Sequence, residues 1–330
     1  MWLFSGYQPT AQIQLTRNEA VYFLTTQKIT LPKDAIILYA LYVIQIIRQV
    51  IVMRFAKYWK KETVTLPNKN GDSTIITGWG GSNISPIEAQ QHAIEQAGLL
   101  ANTLAQKHTI DSYEYAANFI REEMLVEIKN SNNEVIAILS RNSYGAIILN
   151  TDRVVFGDID TRTPGFFAKL LRFVGIPIKD KSYYLKRIQN YHKKHPSFVF
   201  LVYETCAGLR FIIGNREIEP HAPEVNALFK ALGVDPLYHR LCHSQSCFRA
   251  RLSPKPWRIN MSHPQHRFPH FESDQRHEFD LWLHTYQLTA NHYATTHFLA
   301  AFGESKIPES IQRVLDVHNK YACRQGAPLA

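Results

Sequence analysis

Val154-Val-Phe-Gly-Asp158-Ile-Asp160 is the stretch on which the reading of this chain turns. An apolar run ending in glycine and two alternating carboxylates reads as a strand that reaches the end of a sheet. Side chains alternate along an extended strand, so Asp158 and Asp160 share one face and Ile159 is buried behind them. Two carboxylates on one face suit a shared divalent ion. The same residues equally suit a turn that ends a strand, capped by its carboxylates.

Three later segments add cations and a third carboxylate at further strand ends: Glu204-Thr-Cys-Ala-Gly-Leu-Arg210-Phe-Ile-Ile213, Val234-Asp235-Pro-Leu-Tyr238, and Phe248-Arg249-Ala-Arg251-Leu-Ser253-Pro-Lys255. Carboxylates that hold divalent ions, with Arg or Lys on phosphates, are what two-metal phosphoryl chemistry requires. Arg210 enters an apolar strand, where its planar fork would hold phosphate or carboxylate in two-point contact. An ion pair between Arg210 and Asp158 is the alternative. Lys255 lies between Pro254 and Pro256, a rigid setting for a point-charge grip on a triphosphate or simply for a fixed surface loop.

Order and content resemble the catalytic core of the archaeo-eukaryotic primase superfamily, especially its primase-polymerases. Asp158 and Asp160 match the Asp-x-Asp motif, Asp235 with Tyr238 looks like the third motif, and Arg249, Arg251, Ser253 and Lys255 resemble the phosphate-gripping segment after it. The second motif departs from the family, because Arg210 stands where a histidine is expected, and an arginine cannot transfer a proton as histidine does. The resemblance covers roughly residues 120 to 260. It implies a nucleotide-binding, metal-dependent nucleotidyltransferase, with Asp158, Asp160 and Asp235 as catalytic and metal-holding residues for Mg²⁺ or Mn²⁺. Arg210, Arg249, Arg251 and Lys255 would bind the nucleoside triphosphate, and nucleic acid would be the partner. The alternative implied by Arg210 is a non-catalytic module that binds nucleic acid or docks at a membrane. Gly78-Trp-Gly-Gly-Ser82, Arg121-Glu-Glu123, Ala207-Gly-Leu-Arg210 and Phe248-Arg-Ala-Arg-Leu-Ser-Pro-Lys-Pro-Trp257 also resemble a group of uncharacterised bacterial proteins, a likeness that implies no activity.

At 330 residues, 45% of them hydrophobic, the chain has material for one large domain or two ordinary ones. Lys and Arg number 37 against 28 for Asp and Glu, a net charge of +9, which favours an anionic partner. The excess concentrates in 162–194, where Arg162, Lys169, Arg172, Lys179, Lys181, Lys186, Arg187, Lys193 and Lys194 face the single acid Asp180. That block reads either as a solvated helical face or as a surface for a phosphate backbone. Four cysteines without regular pairing argue for free thiols in a reducing, cytoplasmic compartment. His239, Cys242, His243 and Cys247 are the only zinc-like group, but their spacing is irregular and zinc is not expected; Cys242 and Cys247 read as buried small residues. Phosphate-loop, dinucleotide-glycine and Gly-x-Ser-x-Gly signatures do not occur, which removes ordinary ATPases, dehydrogenases and α/β hydrolases.

The expected fold class is α/β in the mixed α+β sense: a primase-like sheet core with flanking helices. Residues 1–62 form an N-terminal segment containing a long apolar helix, 63–271 the core, and 272–330 a helical cover. Residues 35–53 are long enough to span a bilayer, yet Gln45, Arg48 and Gln49 interrupt them, so a buried or partner-packing helix competes with a membrane-associated one. Ser85-Pro-Ile-Glu88 is a capping box opening a helix to about His108. Strands are expected over 124–129 and 135–140, over 146–149 paired with 154–156, and over 197–204, 208–214 and 247–252. Helices are expected over 164–174, 181–193, 222–232, 273–301 and 308–322.

Overall fold

Strand-forming segments become antiparallel pairs, the outer ones alternating between buried and exposed residues and the central ones buried on both faces. The computed structural model describes residues 53, 55–67, 73–107, 119–161 and 179–330. Among them, ten strands form three antiparallel sheets accompanied by six α-helices, a mixed α+β fold. The apolar stretch 35–53, apart from buried Met53, lies outside the described residues. So do residues 68–72, the helix expected over 164–174, and Arg162, Lys169 and Arg172. Among the described residues no helix is long and apolar enough to cross a membrane.

The first sheet is a hairpin of β1 (Tyr58–Pro67) and β2 (Ser73–Ser82), covered by α1 (Pro86–Lys107). Tyr58, Trp59, Lys60 and Lys61 therefore belong to a strand, and a domain limit at residue 63 would cut β1. Ser85 caps α1 through Oγ, which accepts from Glu88 N at 3.1 Å. The reciprocal half of the capping box is rerouted: Ser82 Oγ accepts from Ser85 N at 3.3 Å and donates to the Glu88 carboxylate. Ala89, Ala93, Ala97 and Ala101 recur every fourth residue and are buried against the sheet. Glycines complement them on the strand: a Cβ at Gly80 would lie 2.0 Å from Ala89 O, and one at Gly78 2.3 Å from Ala97 N.

Two four-stranded sheets build the main core. One runs β3 (Glu123–Lys129), β4 (Val135–Arg141), β5 (Ile147–Thr151), β9 (Phe248–Arg251). The other runs β10 (Thr296–Phe302), β7 (Phe200–Thr205), β8 (Gly208–Ile213), β6 (Phe156–Asp160). Strands β5 and β6 do not pair with each other as the short linker suggested: β5 joins β4 and β9, whereas β6 crosses to the second sheet and pairs with β8. The linker residues Val154 and Val155 are fully buried, which fits a crossover through the core and not a surface hairpin turn.

Helices α2 (Lys181–Lys194), α3 (Pro223–Leu232) and α6 (Glu309–Ala322) pack on this core. Asp180 caps α2 by accepting from Tyr183 N at 2.9 Å. Within the basic block, Lys181 is bound to Glu204 at 2.8 Å, and Arg187 donates to Ala231 O at 2.6 Å at the carbonyl end of α3. Lys186, Lys193 and Lys194 remain exposed. Helix α4 (Pro236–Gln245) occupies a stretch to which the sequence analysis assigns no element, and it begins just after Asp235 of the third motif. Helix α5 (Ser273–Ala290) ends earlier than the period suggested, and Thr296–Phe302 instead forms the edge strand β10. Those residues have more to gain as a strand, since β7 otherwise presents an open row of backbone donors and acceptors.

The helix–hairpin contact generates a paired prediction. Gly80→Val forces a side chain into the α1 backbone and should lower stability by about 1–3 kcal/mol in urea unfolding. Gly98→Ala, at a helical position with open space around the new methyl, should raise it by about 0.5–1 kcal/mol.

Candidate functional site

Strand β6 delivers Asp158 directly opposite Arg210 of β8, and the two side chains meet as a cross-strand pair. Arg210 donates from Nε to Asp158 Oδ1 at 2.7 Å and from Nη2 to Oδ2 at 3.0 Å. Its third donor, Nη1, reaches Arg251 O on β9 at 3.1 Å, so one guanidinium joins both four-stranded sheets. The guanidinium is 3% exposed and the carboxylate 30%. Burial works against the charge on Arg210, and the charge and hydrogen bonds of Asp158 outweigh it. The ion pair named as an alternative in the sequence is thus formed.

Asp235 is the N-cap of α4. Its Oδ1 accepts from Tyr238 N at 2.9 Å, and its own N donates to Asp158 O at 3.0 Å, which sets the start of α4 against β6. Tyr238 completes the junction by donating from its hydroxyl to Phe156 O at 2.9 Å. Asp160, exposed at the last position of β6, makes no side-chain hydrogen bond among the described residues. Partial burial of its carboxyl and the charges of Asp158 and Asp235 push its pKa above the ordinary value, against Lys255 and Arg258.

The three aspartates therefore gather at one end of β6, but two are committed to the protein itself. Both oxygens of Asp158 face Arg210, and Asp235 caps a helix. Among the described residues no group of three or more His, Cys, Asp or Glu is placed to hold a metal ion. The arrangement does not fit a preformed carboxylate set for Mg²⁺ or Mn²⁺, and no transfer step through such an ion follows from it. Cys242 on α4 and Cys247 just beyond it are buried, and burial pushes the Cys242 thiol up to about 12. His239 bonds Asn226 Oδ1 at 2.6 Å and the His243 ring packs on His221.

Opposite the carboxylates stand cations from one continuous segment. Arg251 ends β9, Lys255 precedes a single 3₁₀ turn (Pro256–Ile259), and Arg258 lies within it. Tyr286 of α5 pins this segment: its hydroxyl donates to Pro254 O at 2.6 Å and lies 2.8 Å from Ser253 Oγ, which accepts from Ile147 N at 2.9 Å. Burial lowers the pKa of Arg251, reinforced by Arg210 and Arg258; burial also lowers that of Lys255, reinforced by Arg251 and Arg258. Arg251 Nε is enclosed without a hydrogen-bond partner among the described residues. Arg249 is elsewhere engaged, donating to Glu122 and, at 2.6 Å, to Gln245 Oε1. Arg258, which the sequence reading does not include, is brought near Lys255 by the turn: its N donates to Lys255 O at 2.9 Å and its charge acts on the Lys255 ammonium.

His318 of α6 is the buried neighbour of this junction. Its ring lies 4.8 Å from that of Tyr203 and 5.7 Å from that of Phe156, and Nε2 has no partner among the described residues. Burial, aided by Arg210, lowers its pKa from 6.5 to about 3. The folded protein therefore holds His318 neutral while the unfolded chain takes up a proton below about pH 6.5, so stability falls as pH drops through that range.

Two outcomes test this geometry. Asp158→Ala leaves Arg210 buried and unpaired and should cost about 3 kcal/mol in chemical denaturation, most of it recovered when Arg210→Met is added. Wild type should lose about 2 kcal/mol between pH 8 and pH 5 through His318, and His318→Phe should flatten that part of the profile.

Comparison with family models, with curated proteins and with solved structures finds no match to this chain.

Proposed function

We propose that the protein binds the phosphates of a nucleoside triphosphate on Arg251, Lys255 and Arg258, in a core resembling those of primase-polymerases. The observation that carries this reading is the crowding of these cations. Burial and mutual repulsion depress Arg251 and Lys255, and among the described residues none of the three is in a salt bridge. A polyanion relieves that repulsion, and desolvated cations bind it more strongly than solvated ones. Asp160 is the carboxylate left free beside them, and its raised pKa marks a place where added positive charge, or loss of negative charge, is favourable.

The Arg210–Asp158 pair supports a second reading, in which the primase-like core binds nucleic acid without catalysing synthesis. Arginine in place of the family's histidine, with both oxygens of Asp158 occupied, keeps the phosphate grip but leaves the nucleotidyl-transfer machinery incomplete.

Titration calorimetry with a nucleoside triphosphate, with and without Mn²⁺, tests the reading. Lys255→Ala and Arg258→Ala should each weaken triphosphate binding about tenfold, from the loss of one charged hydrogen bond, and monophosphate binding less. Affinity should fall as salt rises. Unchanged affinity in both variants would remove the site. Primer extension by the wild type would favour the transferase over the binding module.

A further inference from the structure

Beside the cations lies a group of aromatic side chains that the main core does not use. Trp257 stands in the 3₁₀ turn between Lys255 and Arg258 and is 45% exposed. Tyr144 comes from the β4–β5 turn, held there because Asn142 Oδ1 accepts from Tyr144 N at 3.2 Å and from Ala146 N at 3.0 Å. Gly145 supplies the left-handed residue of that turn, with φ of +84°, and a Cβ there would strike the Trp282 ring. His263 comes from the exposed loop that follows the 3₁₀ turn. The ring centres of Trp257 and His263 are 4.8 Å apart, and those of Trp257 and Tyr144 are 5.4 Å apart.

Lys255 ties this surface to the phosphate grip, because its Nζ lies 5.2 Å from the centre of the Trp257 ring. Tyr144 lies near enough to Arg251 to act on its charge. Tyr144 meets Trp257 edge-on at 69° and His263 is tilted 37° to it, so the indole is the flat face and the other two rings buttress it. We infer that Trp257, held by Tyr144 and His263, is the stacking platform for a nucleobase whose phosphates lie on Arg251, Lys255 and Arg258.

The chemistry selects the occupant. An inorganic polyphosphate would use the cations and leave the rings idle, and an aliphatic ligand would use the rings and leave the cations unpaired. A nucleotide carries a flat π-face and a polyanion on one short frame, and stacking on an indole tolerates every base because each has a π-face. The platform therefore reads no sequence. The base reaches it either as a free nucleotide or as an unpaired residue of a single strand. Duplex bases are already stacked and cannot supply it.

The inference rests on the phosphate-binding reading of Arg251, Lys255 and Arg258, and tripolyphosphate separates the two. Affinities for tripolyphosphate, ATP and a single-stranded oligothymidylate are measured by calorimetry on wild type, Trp257→Ala and Trp257→Phe, with a thermal melt of each to establish folding. The platform is supported if Trp257→Ala weakens ATP or the oligonucleotide about tenfold, leaves tripolyphosphate unchanged, and Trp257→Phe restores most of the loss. Loss for ATP identifies a free nucleotide as the ligand, and loss for the oligonucleotide alone identifies a strand. If ATP and oligothymidylate bind no tighter than tripolyphosphate and none responds at Trp257, the platform is overturned while the phosphate grip stands. If nothing binds at millimolar concentration, both are overturned.

Discussion

The guanidinium of Arg210 is the contact on which the arrangement of the core depends. It is enclosed between two four-stranded sheets, answers Asp158 with two parallel hydrogen bonds on its own sheet, and donates a third to the backbone of Arg251 on the other. A charge so enclosed is tolerated only where its partners are fixed, since removing either partner leaves it without water or a counter-charge. The pair thus constrains the ends of β6, β8 and β9 to one relative position. Gly208 contributes by leaving room: a Cβ there would lie 1.9 Å from Ile159 O, so the start of β8 can close on β6 only without one.

Site chemistry follows from where those strand ends lie. Beyond Arg251 the chain is held at Ser253 and Pro254 by Tyr286 and turns once, which places Lys255, Trp257 and Arg258 on a short rigid segment. Asp160 lies across from them at the end of β6, near enough for Lys255 and Arg258 to act on its carboxyl. Catalytic arrangements of this kind need free carboxylates facing the cations. Here Asp158 and Asp235 spend their oxygens on Arg210 and on the first turn of α4, so the cations are freer to act than the acids.

Local patterns in the chain foretold most of the secondary structure around the site. The strand segments 135–140 and 208–214 and the Ser85 cap of α1 all act within a few residues, and such signals survive in any tertiary setting. Misreadings occurred where a distant partner decided the outcome. Residues 296–302 carry a pattern that a helix or strand could use, and β7 settled it by pairing. The linker between β5 and β6 looks like a hairpin, but burial of Val154 and Val155 sends β6 into the other sheet.

The candidate site divides in the same way. From the sequence alone came the residue types and their strand-end placement: Asp158 and Asp160 on one face, Arg210 leading an apolar strand, and Lys255 locked between prolines. Only tertiary structure decided which charges were committed, because an ion pair depends on what a strand 52 residues away presents. It sent Arg249 to Glu122 and Arg210 to Asp158, and brought the charge of Arg258 to bear on Lys255. Type and order are properties of a chain; the availability of a charge is a property of its neighbours in space.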